Sequence, residues 1–280
     1  MSVLRQLRRR ASRTRLRVPL VWLRHRGLTP EDVFIASYPR SGSTWLRFLL
    51  LELLTRDTAG FDSVNHLIPD VGRHRGIPAL LPAGGRLIKT HEAYRKVYQR
   101  AVYIVRDVRD VVLSEFDYES ARARISEDFE TFLMLSLRSN VNGYGSWQEH
   151  VLSWSSSPLA ATDSLLMIKF EDLRARTEET LAAVTQFLGV EVDGAAIRAA
   201  ITNNSVHRMR EKEDRTSDID GYSPARANGD GTRFIRNGSI GGWRARLSGD
   251  QVRLIEQYAG FGLARLGYSR EGSPVAVGIP

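Results

Sequence analysis

The chain has no cysteine among its 280 residues. That absence excludes a disulfide framework, a thiolate zinc site, an iron–sulfur centre and a cysteine nucleophile together. Lysine is scarce: only Lys89, Lys96, Lys169 and Lys212 stand among 40 basic residues, a skew that reads as coding bias rather than chemistry. No run approaches the roughly 18 uninterrupted apolar residues that a membrane span needs. Acid is missing from the first 30 residues, which carry nine Arg before the first carboxylate at Glu31. The formal charge of +8 less those nine leaves −1 for the remaining 250 residues. The fold itself is therefore nearly neutral, and the basicity belongs to an arm. A nucleic-acid-binding surface would spread its Lys and Arg over the domain, so no nucleic acid partner is expected.

What is present is an ordinary soluble composition, 42% apolar and 26% charged, on a length that suits one large α/β domain or two small ones. No internal repeat and no boundary stands out after residue 31. The division is a basic arm, 1–30, and one domain, 31–280. The arm allows three readings. Val3, Leu4, Leu7 and Ala11 fit one side of a basic amphipathic helix suited to an anionic membrane surface. An Arg-rich, acid-free start also resembles an organelle transit peptide. The third reading is a solvated or packed tail. A secretory signal does not fit, because the apolar run Val18–Leu23 is short and holds Pro19.

From Glu31 onward, short apolar runs alternate with helical periodicity. Strands are expected at Val33–Tyr38, Leu87–Thr90, Val102–Val105 and Leu165–Phe170, and helices at Thr44–Leu54, Phe129–Asn142, Glu178–Leu188, Ala195–Ile201 and Gln251–Leu263. Continuous apolar strands joined by helices predict an α/β fold, a parallel sheet covered on both faces. Ligands of such sheets sit at the carboxyl ends of the strands.

Four stretches carry chemistry. In residues 34–54 an apolar strand meets a turn, Pro39–Ser43, and then a helix. Such a turn aims backbone N–H groups at one point, and Arg40, Ser41, Ser43 and Thr44 add a cation and hydroxyls, which makes an anion site. It lacks the Lys-Ser/Thr ending of the nucleoside triphosphatase loop. In residues 86–94 a strand delivers Lys89 and His91, two apart and so on one face. In residues 101–116 a strand ends in Arg106, a fixed fork for phosphate, with Ser114 inside the following helix. The alternative there is a surface ion-pair cluster of Arg106, Asp107, Arg109 and Asp110. In residues 233–247, Gly238, Gly241 and Gly242 stand among Arg233, Arg236 and Arg244, a candidate lid over a polyanion.

YPRSGSTW, KTH, IVRDVRDVVLS and RNGSIGGW, in this order, resemble the cytosolic-type sulfotransferase family over residues 31–268. The resemblance implies a single-domain, P-loop-like nucleotide-binding fold and 3′-phosphoadenosine 5′-phosphosulfate (PAPS) as co-substrate, with no metal. It implies that residues 40–44, with Gly42 among them, hold the donor's phosphosulfate and that Trp45 stacks on adenine. Arg106 and Ser114 match the 3′-phosphate pair, Arg236 and Gly238 match the late loop that completes that site with Asn237 between them, and Phe170 lies near the adenine. His91 matches the general base, with Lys89 and Arg40 as the cations that stabilise the leaving group. Three departures stand out. Arg40 replaces a common Lys, Val206 sits where an approximate match expects an aromatic ring against adenine, and Asn237 replaces a common basic residue.

The implied reaction is transfer of a sulfuryl group to an acceptor hydroxyl of a small molecule, lipid or glycan. The implied location is the cytoplasm, with peripheral membrane contact through the arm as an open reading. Residues 61–85 and helices near Glu115–Ser157 are expected to line the acceptor pocket, with Phe116, Tyr118, Phe129 and Phe132 mixed with Arg122 and Arg124. A nucleoside-triphosphate kinase or hydrolase is the alternative enzyme, and a non-catalytic scaffold carrying a functional arm is the third reading. The oligomeric state is not readable.

Overall fold

The structure, a computed structural model, describes residues 17–122, 124–138, 142–216, 233–236 and 238–269, with side chains from residue 21 onward. Asn237 and residues 1–16, which include the expected Val3–Ala11 helix, lie outside the described residues. The four expected strands form as β1 (Val33–Ser37), β2 (Leu87–Thr90), β3 (Ala101–Val105) and β4 (Leu165–Lys169). They make one sheet in the order β2-β1-β3-β4, every neighbouring pair parallel. The chain runs from β1 to β2 on one side and then crosses to β3 on the other. The carboxyl end of β1 is therefore a switch point, with a crevice between outgoing loops.

Alternation along the strands sends side chains to two cores. Val33, Ile35, Val102 and Ile104 join one apolar cluster, and Phe34, Ala36, Tyr103 and Val105 join the other. On the first face lie α2 (Ser43–Thr55), α3 (Phe61–Leu67), α7 (Phe170–Ala175), α8 (Thr177–Leu188), α9 (Gly194–Asn203) and α10 (Val206–Asp214). On the second lie α4 (Val108–Ser120), α5 (Phe129–Arg138), α6 (Trp147–Ser155) and α11 (Gly249–Arg265). Helices on both faces are what continuous apolar strands demand.

Polar residues inside α2 are satisfied rather than exposed. Arg47 reaches the carbonyls of Val64 and Ile68 at 2.9 Å each, capping the end of α3. Glu52 takes Lys212 Nζ and the Ala59 amide at 2.9 and 3.0 Å. Truncating one partner of such a buried pair costs more than the pair contributes, because the other charge is stranded.

Some boundaries differ from expectation. Tyr38 falls outside β1, and Phe170 opens α7 instead of closing β4. Helix α5 is described only to Arg138, and Asn142 lies in a bend. The run Val18–Leu23 forms part of α1 (Arg17–His25) despite Pro19, because a proline in the first helical turn removes no intrahelical bond. Helix α1 is docked by its last turn. Arg24 Nε donates to Val71 O at 3.0 Å, and His25 Nε2 lies 2.9 Å from Tyr98 Oη and 3.1 Å from Glu92 Oε2. Trp22 and Leu23 stay exposed.

Candidate active site

The turn after β1 is strained where the sequence motif begins. Arg40 has φ 65°, a left-handed conformation that a non-glycine residue adopts at a cost of roughly 1–2 kcal/mol. Gly42, with φ 98°, is the N-cap of α2. A Cβ there would lie 2.4 Å from Phe170 Cδ2, so only glycine lets the α7 ring close over the loop. The buried Ser41 Oγ has no hydrogen-bond partner among the described residues.

The motif after β3 separates into a structural part and an anion-seeking part. Asp107 caps α4 and chelates the buried Arg109, which also reaches Glu256 at 3.1 Å. Asp110 accepts the amides of Gly241 and Trp243 at 2.8 and 2.9 Å, and so pins the late glycine loop onto α4. The ion-pair reading thus holds for two of the four charges, Asp107 and Arg109, and that pair is buried rather than on the surface. Arg106 is different. Its Nη1 and Nη2 donate only to carbonyls, Arg40 O at 3.1 Å and Ser239 O at 2.9 Å. Its buried Nε has no partner, and no carboxylate bonds it among the described residues. Its ring contact is Phe170, with the guanidinium carbon 4.5 Å from the centroid. Burial pulls its pKa down, against the pull of Asp110 and Glu171. A buried guanidinium held between two loops by carbonyls alone calls for an anion.

Arg40 joins this cation cluster. Its Nε donates to Ser114 Oγ at 3.2 Å, and its guanidinium lies 4.3 Å from the Tyr118 ring and 5.1 Å from the Phe234 ring. Burial lowers its pKa to about 10; Tyr118 opposes that shift, and Arg236, Arg122 and Arg106 add to it. Arg236 is held by Asp117, which Arg246 also engages at 2.7 Å. Ser114 and Arg236, expected at the 3′-phosphate, therefore lie with Arg40 on one side of the crevice. No described contact joins Arg40 to Lys89 or His91. Trp45 donates its Nε1 to Asn204 O at 2.9 Å, and its ring centroid lies 5.1 Å from the Arg174 guanidinium. Ser43 and Thr44 form the first turn of α2, where backbone N–H groups have no intrahelical acceptor.

At the end of β2 the imidazole of His91 is held in one tautomer by its neighbours. Nδ1 lies 2.7 Å from Ser37 O, a carbonyl that can only accept, so Nδ1 carries the hydrogen and Nε2 keeps its lone pair. Burial, then the nearby Lys89 ammonium, push His91 well below an ordinary imidazole pKa. The ring meets Tyr144 edge-on at 5.7 Å. His150, buried and bonded to Tyr103 Oη at 2.9 Å, has Nε2 3.1 Å from His91 O and braces the strand end. Lys89 pairs with Asp70 at 3.2 Å, on a segment that adds a parallel bridge to β2. Burial works against the Asp70 carboxylate, but Lys89, Arg47 and His91 hold it well below the usual range.

Asp70, Tyr144, His150 and Ser37 were not singled out in the sequence. Asp70 and Tyr144 sit in loops without periodicity, and the Ser37 contact is made by a backbone carbonyl. The expected acceptor aromatics divide. Phe132 is buried, and Phe116 packs on Phe129 and Phe132 at 5.1 and 5.4 Å, whereas Tyr118 faces Arg40. Among the described residues no group of three or more His, Asp or Glu is placed to hold a metal.

Fold and site define an α/β protein with a left-handed turn and two clustered arginines at the switch point of a parallel sheet. The sequence model of the sulfotransferase domain family matches residues 30–267. Cytosolic sulfotransferase 7 of Arabidopsis thaliana is 26% identical over 267 residues, covering 82% of this chain and 79% of that protein. Sulfotransferase 2A1 of Rattus norvegicus is 26% identical over 251 residues, covering 82% and 86%. Among solved structures, mouse sulfotransferase SULT7A1 complexed with PAP aligns with a TM-score of 0.64 at 24% identity, covering 87% of this chain and 88% of that one. Retinol dehydratase in complex with androsterone and PAP aligns at 0.66 and 19%, covering 86% and 83%. These likenesses are of fold. The chain belongs to the sulfotransferase domain family, and the enzyme class anticipated from its four motifs is the class of that family.

Proposed function

We propose that this enzyme transfers the sulfuryl group of PAPS to a hydroxyl of a small-molecule acceptor, with His91 as general base. The observation that carries the reading is Arg106, a buried guanidinium bonded, among the described residues, only to carbonyls of the two loops that would enclose the donor. Its free Nε and the unpartnered Ser41 Oγ suit a ligand rich in anionic oxygens. Residues 40–44 hold the phosphosulfate. Arg106, Ser114, Arg236 and Gly238 take the 3′-phosphate, Asn237 belongs to the same loop, and Trp45 and Phe170 border the adenine.

In the transfer step the acceptor oxygen attacks sulfur in line with the departing phosphate oxygen. The new S–O bond forms as the bridging bond breaks, and its electron pair stays on the 5′-phosphate. The hydroxyl proton passes to His91 Nε2, whose orientation the Ser37 carbonyl fixes. Lys89 offers charge beside the base, while Arg40 contributes from the Ser114 side. Sulfuryl transfer resembles phosphoryl transfer in needing this positioning and charge stabilisation on a loose transition state.

The retinol dehydratase complexes hold androsterone in one case and retinol in another. With Tyr144 against His91, we assign an apolar or aromatic alcohol as acceptor, acted on in the cytoplasm. Residues 1–30 act as an arm on the domain at 31–280, and the exposed Trp22 and Leu23 beside its arginines suit an anionic lipid surface. No described helix is long and apolar enough to cross a membrane.

Calorimetry with 3′-phosphoadenosine 5′-phosphate (PAP), ATP and 5′-AMP tests the donor. Micromolar binding that requires the 3′-phosphate is expected; magnesium-dependent ATP binding indifferent to that phosphate would overturn the reading in favour of a kinase. His91→Ala is expected to lower turnover by about 10²–10⁴-fold with PAP affinity intact, and near-normal turnover would remove His91 from the role.

A further inference from the structure

The first turn of α7 and the residue one turn later both face the donor crevice. Phe170 and Arg174 are four apart and so share a helix face. Phe170 closes over Gly42, and the Arg174 guanidinium lies 5.1 Å from the centroid of the Trp45 ring. Arg174 also borders the late loop, where a Cβ on Gly238 would stand 3.7 Å from its Nε. The side chain is half-buried, yet among the described residues it makes no ion pair and no side-chain hydrogen bond. The neighbouring Arg176, on the exposed side, is paired with Asp172 at 2.8 Å. A half-buried arginine that pairs with no carboxylate among the described residues and lies against an indole is placed for its planar face as much as for its charge.

The surroundings of Trp45 explain what that face is for. Trp45 is fixed at its edge by the Asn204 carbonyl, and two residues further on stands Val206, at the start of α10. Valine offers no ring, so a base stacked on Trp45 has no aromatic cover from that side. We propose that Arg174 supplies it, its guanidinium plane lying on the outer face of the adenine that Trp45 stacks from beneath. The side chain lies against the indole itself, and the base takes its place between them. Guanidinium planes and aromatic rings both serve as stacking surfaces for nucleobases, and they tolerate each other as alternatives. The inference rests on the donor reading above. It adds a base-positioning residue that substitutes for a missing ring.

The experiment uses the full chain with two probes, PAP and ribose 3,5-bisphosphate, which keeps the phosphates and lacks the base. Arg174→Ala is expected to weaken PAP about tenfold and leave the base-free probe within about twofold. Arg174→Lys keeps the charge and loses the plane, so it is expected to weaken PAP nearly as much. Equal loss for both probes would make Arg174 a phosphate ligand and overturn the proposal. Unchanged PAP affinity in Arg174→Ala, or full affinity in Arg174→Lys, would overturn it as well. Wild-type protein that binds neither probe would instead overturn the donor reading itself. The unfolding midpoint in urea, unchanged between variants, shows that the fold is intact.

Discussion

Glu115 offers a quantitative test of how the site is built. It follows Ser114 on α4, is only 4% exposed, and accepts Asn142 Nδ2 at 2.9 Å. The same Asn142 amide reaches Tyr38 Oη at 2.8 Å, so the carboxyl is tied to the residue between β1 and the turn Pro39–Ser43. Burial lifts its pKa from 4.5 to about 7, Glu119 adds to the rise, and Asn142 and Arg40 oppose it. The folded state therefore keeps a proton that the unfolded chain releases above pH 4.5. Its stabilising contribution is complete below that value and is lost as pH rises through about 7. The difference corresponds to about 3 kcal/mol by pH 8. Glu115→Gln keeps an acceptor for Asn142 and removes the ionisation. Urea unfolding at pH 5 and pH 8 is the assay, with the m value checked for constancy. The variant is expected to match wild type at pH 5 and to exceed it by up to about 3 kcal/mol at pH 8. An advantage of the same size at both pH values would refute the reasoning, because a packing effect does not depend on ionisation.

Three further outcomes follow from the site. Arg106→Ala should weaken PAP binding by about ten- to a hundredfold, the worth of charged hydrogen bonds, without lowering the urea midpoint; a stability loss with unchanged affinity would assign it to the scaffold. The acid limb of kcat/KM should lie below pH 6.5, because burial and Lys89 disfavour the imidazolium of His91. Lys89→Met should move that limb upward, and a limb unmoved by the substitution would detach Lys89 from His91. Gly42→Ala puts a Cβ into Phe170 in a left-handed backbone, and should reduce PAP affinity at least tenfold while circular dichroism stays native. Unchanged affinity would mean that Phe170 does not shape the cradle.

The sheet was legible because β1 and β3 are short apolar runs and β2 opens on Leu87 and Ile88, all three buried along their whole length. Lys89, His91, Arg106 and Ser114 were legible for the same reason: their place at a strand end, or in the helix after it, follows from local pattern. Helices α6 and α10 were not marked out. Trp147–Ser155 mixes Trp, His and Ser without a clean apolar stripe, and Val206–Asp214 is mostly charged, with only Met209 and Glu213 buried. Asp70 was invisible because it acts through a bridge to β2 that depends on the path of a long loop. Arg40 was expected near Lys89, but its direction depends on its own left-handed backbone and on the Tyr118 ring, neither of which a motif encodes.

Glu92 follows His91 directly and receives the last turn of α1 through Arg24 and His25. Trp154 donates its Nε1 to the Glu92 carbonyl at 3.0 Å, so this residue is rigidly seated from the core side. The N-terminal helix is thus joined to the end of β2 at Glu92, one peptide from His91. Any shift in how α1 docks meets His91 through a single backbone link, whereas Arg40 and Arg106 follow β1 and β3.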